Sequence, residues 1–353
     1  MNNTYFYQDK PLFGLDIGYS SIKTMQVDWV AGRPIVSGYG AVKFDPGTIK
    51  NGIISDYESL ADSMFGLFES NITGEISTKR VAITVPASRT FSRPVKLPKL
   101  TKKELDEAVK LEAERYIPMP LDELYLDYMI SGQNDKETNL FLVAAPKKLI
   151  DSYISLSKIL DLDIVAIETT ISAATRLFIE ADRSDVPTIL IDFGSHSVDI
   201  TIFDKVLVVT GTVAGGSDDF TALIAKKLGV NQQEAYNVKT NFGIDPSKHQ
   251  KEITEALSPL LQQLLKEVRR VIRYYEERFV SSRKIGQIVT MGGGANFPGL
   301  STYMTDALRL PVRMSDPWSY ISFSRLQPPS AVEKSMYATA AGSALMVPGE
   351  IFS

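Results

Sequence analysis

The chain has 353 residues, of which 44% are hydrophobic and 23% are charged. This length predicts about two domains, and the net charge of −4 argues against a nucleic-acid-binding protein with a basic surface. The absence of cysteine excludes disulfides and thiolate metal sites, and two histidines argue against a histidine-rich metal site. The N-terminus lacks a basic segment followed by an apolar core, so we expect a loose leader over residues 1–10, no signal peptide and a cytoplasmic location.

The first predicted element is a β-hairpin over Phe13–Val27, in which an apolar strand leads into Asp16-Ile17-Gly18, a small polar turn and a second strand. Such a turn directs backbone N–H groups and small hydroxyls toward whatever lies above it, which suits phosphate oxygens. A carboxylate beside a polyphosphate is repulsive unless a divalent cation lies between them. Asp16 therefore indicates Mg²⁺.

Alternating strand and helix patterns follow, which predict an α/β layer. The predicted strands are Pro34–Phe44 and Arg80–Val85, and the predicted amphipathic helix between them is Asp56–Phe68.

Residues 81–160 read as a compact insert. Pro94–Leu100 is basic and punctuated by proline, and Thr101 with Glu104 predicts a capping box at a helix start. The insert is either a structural lobe or a docking surface, since its narrow apolar stripe and strand edges leave apolar surface to be covered. Its predicted helix and strands are Lys102–Tyr116, Leu124–Ile130 and Asn139–Ala145.

A helix over Lys147–Leu160, a strand over Asp163–Ile167 and a helix over Thr169–Phe178 come next. Glu168 lies at the end of this strand, where a site residue is expected in an open α/β sheet. Simple surface exposure is the alternative for a lone glutamate.

A second hairpin over Pro187–Asp204 has the same pattern as the first: a strand ending in Asp192, a small polar turn and a second strand. Either hairpin alone also fits an ordinary surface turn. Because Asp16 and Asp192 are half the chain apart, the two together predict a duplicated fold that closes on one nucleotide from both sides.

Glycines mark two further candidate ligand sites. Gly215-Gly216 precedes a helix over Asp219–Leu228, whose free N–H groups suit phosphate, although ordinary helix caps look the same. Gly292-Gly293-Gly294 follows a short strand and would let the backbone approach a flat ligand. The other predicted elements are a strand pair over Val206–Gly216, helices over Gln233–Thr240, Ile253–Phe279 (with one apolar side read as core) and Lys334–Leu345, and strands over Ile288–Thr290 and Pro311–Met314.

In this order the motifs resemble the phosphate-1, phosphate-2 and adenosine motifs of the actin-like ATPase superfamily. Within it, residues 11–347 resemble the PilM family of type IV pilus assembly. Besides FGLDIGYSSIKTMQV, the matching stretches are LTKKELDEAVKLEAERYIPMPLDELYLDY, FLVAAPKKLIDSYISLSKILDL, LLKEVRRVIRYYEERF and GGGANFPGLSTYM.

The resemblance implies an α/β actin-like fold of two duplicated domains. Its implied subdomains are 1A (11–80 with 161–186 and 330–353), 1C (81–160, a subdomain shared with the division protein FtsA), 2A (187–215 with 286–329) and 2B (216–285).

It also implies that ATP lies between the halves. Asp16 and Asp192 would hold Mg²⁺, mostly through water, and Glu168 would orient the attacking water. The implied nucleotide contacts are Gly18, Ser20, Ser21 and Lys23 in the first hairpin, Gly194, Ser195, His196 and Ser197 in the second, and Gly215, Gly216, Lys239, Gly292, Gly293, Gly294 and Phe297 around ribose and adenine.

Three departures from the family pattern bear on hydrolysis more than on binding. Val198 replaces a small hydroxyl residue, His196 replaces a small residue, and Tyr236 replaces the glutamate of the ribose motif, in which Lys239 is kept. We therefore expect at most slow ATP hydrolysis.

The first functional hypothesis is an ATP-binding scaffold. The resemblance implies that a groove beside the insert receives the cytoplasmic N-terminal tail of the inner-membrane protein PilN. That tail would recruit the chain to the inner face of the membrane. A small-molecule kinase of the same superfamily is one alternative. An FtsA-like polymer is another, although Met346–Ser353 is shorter than the amphipathic membrane helix that ends that family.

Overall fold

The computed structural model describes residues 10–182, 184–278, 283–324 and 326–347. The predicted leader, apart from Lys10, lies outside the described residues, and so do Phe279 and 348–353.

The first half is built on a six-stranded sheet in the order β11-β7-β1-β2-β3-β6. Strand β1 pairs in parallel with β7 and antiparallel with β2, and β11 pairs in parallel with β7. A two-stranded ribbon, β4 (Ile49–Lys50) and β5 (Ile53–Ile54), lies beside the sheet. The sheet strands are β1 (Phe13–Ile17), β2 (Ser21–Val30), β3 (Arg33–Lys43), β6 (Ile72–Gly74), β7 (Arg80–Val85) and β11 (Asp163–Thr169).

The second half repeats this arrangement. Its sheet has the order β14-β13-β12-β15-β16, with β12 antiparallel to β13 and parallel to β15. Three antiparallel strands followed by two parallel ones therefore occur in both halves, which confirms the predicted duplication and the α/β class. The strands are β12 (Thr188–Phe193), β13 (Ser197–Asp204), β14 (Val206–Ala214), β15 (Gln287–Met291) and β16 (Val312–Met314).

The helices cover these sheets. The apolar side of the long helix α7 is buried in the core of the second half, as its leucine spacing predicts. The helices are α1 (Tyr57–Ser70), α2 (Lys102–Tyr116), α3 (Lys147–Ile159), α4 (Thr170–Ala181), α5 (Ser217–Leu228), α6 (Gln232–Phe242), α7 (Gln250–Arg278), α8 (Leu300–Leu308), α9 (Ala331–Lys334) and α10 (Ala338–Ala344).

A separate lobe projects from the first half. Its sheet, in the order β8-β10-β9, consists of β8 (Phe91–Pro98), β9 (Leu124–Gln133) and β10 (Glu137–Pro146), and it packs on α2 around its own core. Strand β7 and helix α3 contribute to the core of the first half. The lobe itself therefore extends from residue 86 to residue 146, which is narrower than the predicted insert.

Three elements differ from the sequence predictions. Strand β8 includes Pro94, which is tolerated because β8 is an edge strand of its sheet. The predicted strand pair over Val206–Gly216 is the single strand β14. The predicted closing helix over Lys334–Leu345 consists of a 3-10 turn over Ser335–Tyr337 and α10, and the short helix α9 precedes it.

Candidate nucleotide site between the two halves

Two turns with the same hydrogen bond end the first strand of each half. Gly18 N donates to Ser21 O at 3.0 Å, and Gly194 N donates to Ser197 O at 2.9 Å. The turns also contact each other. The Tyr19 and His196 rings meet edge to face, with centroids 5.4 Å apart. The two predicted phosphate hairpins therefore lie on opposite sides of one cleft.

Ser20 and Asp218 provide a second contact across this cleft. Ser20 Oγ donates to Asp218 Oδ2 at 3.3 Å. Ser195 and Ser197 are partly exposed in the second turn, and His196 is exposed. Small hydroxyls from both halves are thus available to a ligand that enters between them.

Asp16 is held within the first half. Its carboxylate accepts from Lys23 Nζ at 3.1 Å and from Thr84 Oγ1 at 3.0 Å, and the residue is 7% exposed. Lys23 lies opposite Asp16 in the hairpin register, which explains the pair.

Asp192 lies near Asp16 although the two are far apart in sequence. Desolvation raises the pKa of Asp192 to about 7, and repulsion by the Asp199 and Asp16 carboxylates raises it further, against the opposing effect of Lys23. Two further carboxylates, those of Asp199 and Asp16, thus act on Asp192 against one ammonium group, that of Lys23. Such an excess of negative charge fits a divalent cation carried by a polyphosphate.

Asp199 is the site residue that sequence reasoning missed. It lies directly opposite Asp192 in the β12–β13 pair and is 9% exposed. Its carboxylate accepts a hydrogen bond from Thr212 Oγ1 at 2.6 Å. Burial raises its pKa to about 6, and the hydroxyls of Thr212 and Thr170 oppose this shift. The available signal was an aspartate on the ligand-side face of an otherwise apolar strand.

The glycines of the second half have an internal packing role. A Cβ on Gly216 would lie 2.5 Å from Gly194 O, one on Gly292 2.1 Å from Asp192 Oδ1, and one on Gly294 3.0 Å from Phe193 Cβ. These glycines let their loops pack on the second hairpin, and the predicted contacts of Gly216, Gly292 and Gly294 with a nucleotide stay predictions. Gly293 is exposed, and its nearest neighbour to a Cβ would be at 3.5 Å.

Helix α5 begins directly after Gly215-Gly216, and its first turn is already capped. Asp219 accepts from Gly216 N at 2.8 Å and lies 3.6 Å from His196 Nδ1. Gly215 has φ +96°, a conformation that favours glycine. A phosphate at this helix start would compete with Asp219 for Gly216 N.

Lys239 lies beneath the same helix start. Its Nζ donates to Ser217 O at 2.8 Å, to Ser217 Oγ at 2.7 Å and to Thr221 Oγ1 at 2.8 Å. Desolvation lowers its pKa to about 8. All three N–H donors thus stabilise the first turn of α5, and a contact with ribose stays a prediction.

The carboxylate of Glu168 accepts hydrogen bonds from residues of the first half. Its two oxygens accept from Arg176 at 2.8 and 3.0 Å, and Ser343 Oγ donates to it at 2.9 Å. Arg176 also donates to Gly342 O, so the network joins β11 and α4 to α10. Orientation of an attacking water by Glu168 stays a prediction.

Phe297 is 5% exposed and packs against Phe220, with ring centroids 5.7 Å apart. Its ring belongs to the core of the second half. We therefore expect Phe297 to support the glycine loop from below, and any contact with adenine at this position to come from the backbone.

A cavity of about 390 Å³ lies between the lobe and strand β14. The two walls meet where Ser92 Oγ and Thr210 Oγ1 are 3.2 Å apart. Arg93 stacks on the Tyr116 ring at 3.6 Å, and its Nε is buried without a hydrogen-bond partner among the described residues. The other lining residues include Ala87, Phe91, Glu112, Leu142, Ile171 and Thr212.

The described residues contain no group of three or more histidine, aspartate or glutamate side chains arranged to hold a metal ion by themselves. No helix among them combines the length and apolar character needed to cross a membrane. A cation in the cleft would thus depend on oxygens from a nucleotide or water in addition to protein carboxylates.

Comparison with solved structures shows the same fold. The chain aligns with the structure described as the PilM-PilN type IV pilus biogenesis complex at a TM-score of 0.80 and 24% identity, over 96% of this chain and 98% of that one. Ethanolamine utilization protein EutJ from Carboxydothermus hydrogenoformans matches at a TM-score of 0.56 and 15% identity, over 95% of this chain and 89% of that one. MreB 5 of Spiroplasma citri bound to AMPPNP matches at a TM-score of 0.53 and 15% identity, over 94% of each chain.

The family model for type IV pilus assembly protein PilM matches residues 14–347, which include both hairpins, the lobe and the three-glycine loop. The chain therefore belongs to the PilM family of type IV pilus assembly proteins, which have an actin-like ATPase fold.

Proposed function

We propose that this chain binds Mg-ATP between its two halves and acts as a scaffold for the cytoplasmic N-terminal tail of PilN. The observation that carries the nucleotide part is the convergence of Asp16 and Asp192 beside two facing turns. Without a cation these carboxylates repel each other, and the triphosphate supplies the remaining oxygens that Mg²⁺ requires.

Different residues of the chain bind the cation and the phosphates. Asp16 and Asp192 accept from water around the cation, and Lys23 with Ser20 and Ser21 faces the phosphates from the first hairpin. Gly194, Ser195, His196 and Ser197 do so from the second. A handful of charge-assisted hydrogen bonds from each hairpin, at about 1.5–3 kcal/mol per bond, together exceed what micromolar affinity requires after ordering costs.

Hydrolysis is slow in this proposal. The carboxylate that would orient the attacking water, Glu168, already has partners for both oxygens. The nucleotide therefore serves to hold the two halves together.

The PilN tail binds in the cavity between the lobe and β14. Strand β8 pairs only with β10, and β14 only with β13, within the described residues, so both present an open edge to the cavity. An extended peptide can pair with such an edge and place alternate side chains into apolar and charged pockets. The structure with PilN as partner in its description has the same fold, which supports this choice. The tail keeps the chain at the inner face of the membrane.

Calorimetry with Mg-ATP tests the nucleotide site. We expect Asp16→Ala and Asp192→Ala each to weaken binding at least about tenfold, because each removes one of the two carboxylates that face the cation. Asp62→Ala, an exposed aspartate on α1, is the matched control. Unchanged affinity in both cleft variants would refute the proposed site.

Calorimetry with a synthetic peptide of the PilN N-terminal tail tests the second part. Tyr116→Ala should weaken binding by about tenfold or more, since an aromatic anchor in a pocket carries much of an interface's affinity. Tyr125→Ala is the control, because Tyr125 on the opposite edge strand β9 is 45% exposed, close to the 48% of Tyr116. Equal losses for both variants would place the tail elsewhere on the lobe.

A further inference from the structure

Lys43 is the last residue of β3 and lies beside the first of the two facing turns. It is directly opposite Ser21 in the β2–β3 pair, and the next residue, Phe44, donates its N–H to Ser20 O at 3.3 Å. Lys43 is exposed, and among the described residues its ammonium group has no ion-pair partner and no hydrogen-bond acceptor. The first turn therefore has a neighbouring cation whose charge is not neutralised.

The side chain of Lys43 extends toward the second half of the molecule. Its Nζ lies 6.0 Å from the centre of the ring of Tyr236, a residue of α6 that is 43% exposed. Lys239 Nζ lies 5.1 Å from the centre of the same ring. At 6.0 Å the attraction is at the outer limit of a cation–π contact. The ring of Tyr236 therefore holds Lys43 across the cleft only weakly.

The other charges of the cleft favour an anionic ligand for Lys43. Lys23 already pairs with Asp16 at 3.1 Å, and Lys239 gives its three donors to the first turn of α5. The exposed carboxylate of Asp218, which contacts the first turn from the second half, would repel a polyphosphate. Of the three lysines, Lys43 has the ammonium group that is best able to offset this repulsion.

The residue type at position 236 leaves the charge of Lys43 available. A carboxylate at this position would lie between two ammonium groups and pair with them. Tyrosine offers only the negative face of its ring, which attracts an exposed cation much less strongly. Lys43 can therefore exchange Tyr236 for a phosphate oxygen, since a charge-assisted hydrogen bond is the stronger contact.

We propose that Lys43 is a nucleotide-binding residue, which reaches across the cleft to the polyphosphate and which Tyr236 keeps in place until the nucleotide enters. This inference rests on the proposed function and adds to its site a lysine that lies outside the sequence motifs. The phosphate oxygen replaces the aromatic ring as the partner of Lys43 Nζ.

Calorimetry of the whole chain with Mg-ATP, at low and at high salt, is the experiment. At about 50 mM salt, Lys43→Gln should weaken binding about tenfold or more, because it removes a charge-assisted contact with the phosphates. At about 500 mM salt the difference should fall to about threefold or less, since salt screens exposed charges. Lys43→Arg, which keeps the charge, should bind within about threefold of the wild type.

Two variants of Tyr236 test its part in the same assay. Tyr236→Glu supplies a carboxylate that pairs with Lys43, so it should weaken Mg-ATP binding at low salt about as much as Lys43→Gln does. Tyr236→Phe keeps the aromatic ring and should bind like the wild type. Affinity of Tyr236→Glu equal to or higher than that of the wild type would overturn the inference.

Lys50→Gln is the matched control. Lys50 is an exposed lysine of the same half, on β4, so its replacement changes the net charge equally and should leave the affinity within about twofold. Without nucleotide, all these exposed variants should melt at the wild-type temperature. If the wild type binds Mg-ATP and Lys43→Gln binds equally well, or if Lys50→Gln loses as much, the inference alone fails. Absence of Mg-ATP binding by the wild type would overturn the proposed function with it.

Discussion

At the scale of single residues, Asp199 has the clearest consequence for stability. Its pKa is about 6 in the folded protein, against an ordinary value of 3.8. The folded state thus holds this proton more tightly than the unfolded chain does. The resulting stabilisation is complete below about pH 4 and is lost as the pH rises through about 6.

We therefore expect Asp199→Asn to become relatively more stable as the pH increases. Between about pH 4 and pH 7.5, the wild type should lose on the order of 3 kcal/mol of unfolding free energy relative to the variant, since two pKa units correspond to that amount. Urea denaturation at a series of pH values measures this difference. A difference that stays constant with pH would contradict the burial of an ionisable Asp199.

Glu168 leads to a second prediction at this scale. Because its pair with Arg176 is largely buried, Glu168→Gln should lower the free energy of unfolding by roughly 3 kcal/mol. The slow ATP hydrolysis rate should change less than about twofold, since the carboxylate is already engaged in the folded protein.

Ser343→Ala is the control for Glu168, as it removes one hydrogen bond worth about 1 kcal/mol and leaves the ion pair. Denaturation and a phosphate-release assay on the same preparations separate the two roles. A large loss of hydrolysis with unchanged stability would instead show that Glu168 orients the water.

At the scale of elements, two adjacent glycines in the loop after β15 have different surroundings. Gly292 has φ +85°, and a Cβ there would lie 2.1 Å from Asp192 Oδ1, whereas a Cβ on Gly293 would make only an ordinary contact with Met336 Cβ at 3.5 Å. Gly292→Ala should therefore lose about 1–3 kcal/mol of stability and weaken Mg-ATP binding through the displaced Asp192. Gly293→Ala should be close to neutral. Thermal melts with and without Mg-ATP test the pair, and similar behaviour of both variants would refute the packing role of Gly292.

At the scale of the whole molecule, ligand binding should stabilise both halves together. With Mg-ATP at about a hundred times its dissociation constant, the folded state should gain about 2.7 kcal/mol. Removal of Mg²⁺ with a chelator should reduce this gain, because the carboxylates of the cleft then face the phosphates without a cation. Two separate thermal transitions, of which only one responds to Mg-ATP, would argue against a nucleotide shared by the halves.

Much of this molecule follows from local sequence patterns. Strand-turn-strand runs around Asp16 and Asp192 predicted both hairpins, and the capping box at Thr101 predicted the start of α2, which the structure confirms. These signals depend on neighbouring residues, whose spacing alone determines which face is buried. The repetition of one pattern in both halves further predicted the duplicated fold.

Only the tertiary structure decided which side chains meet. Glu168 accepts a hydrogen bond from Ser343, which is 175 positions away in sequence. The sequence alone predicted a catalytic role for this carboxylate and did not reveal this partner. Asp199, the buried Phe297 and the cavity beside the lobe likewise depend on packing between distant segments. Local patterns specify which face of an element is buried, whereas the partners of a polar group are set by elements that the chain brings together from far apart.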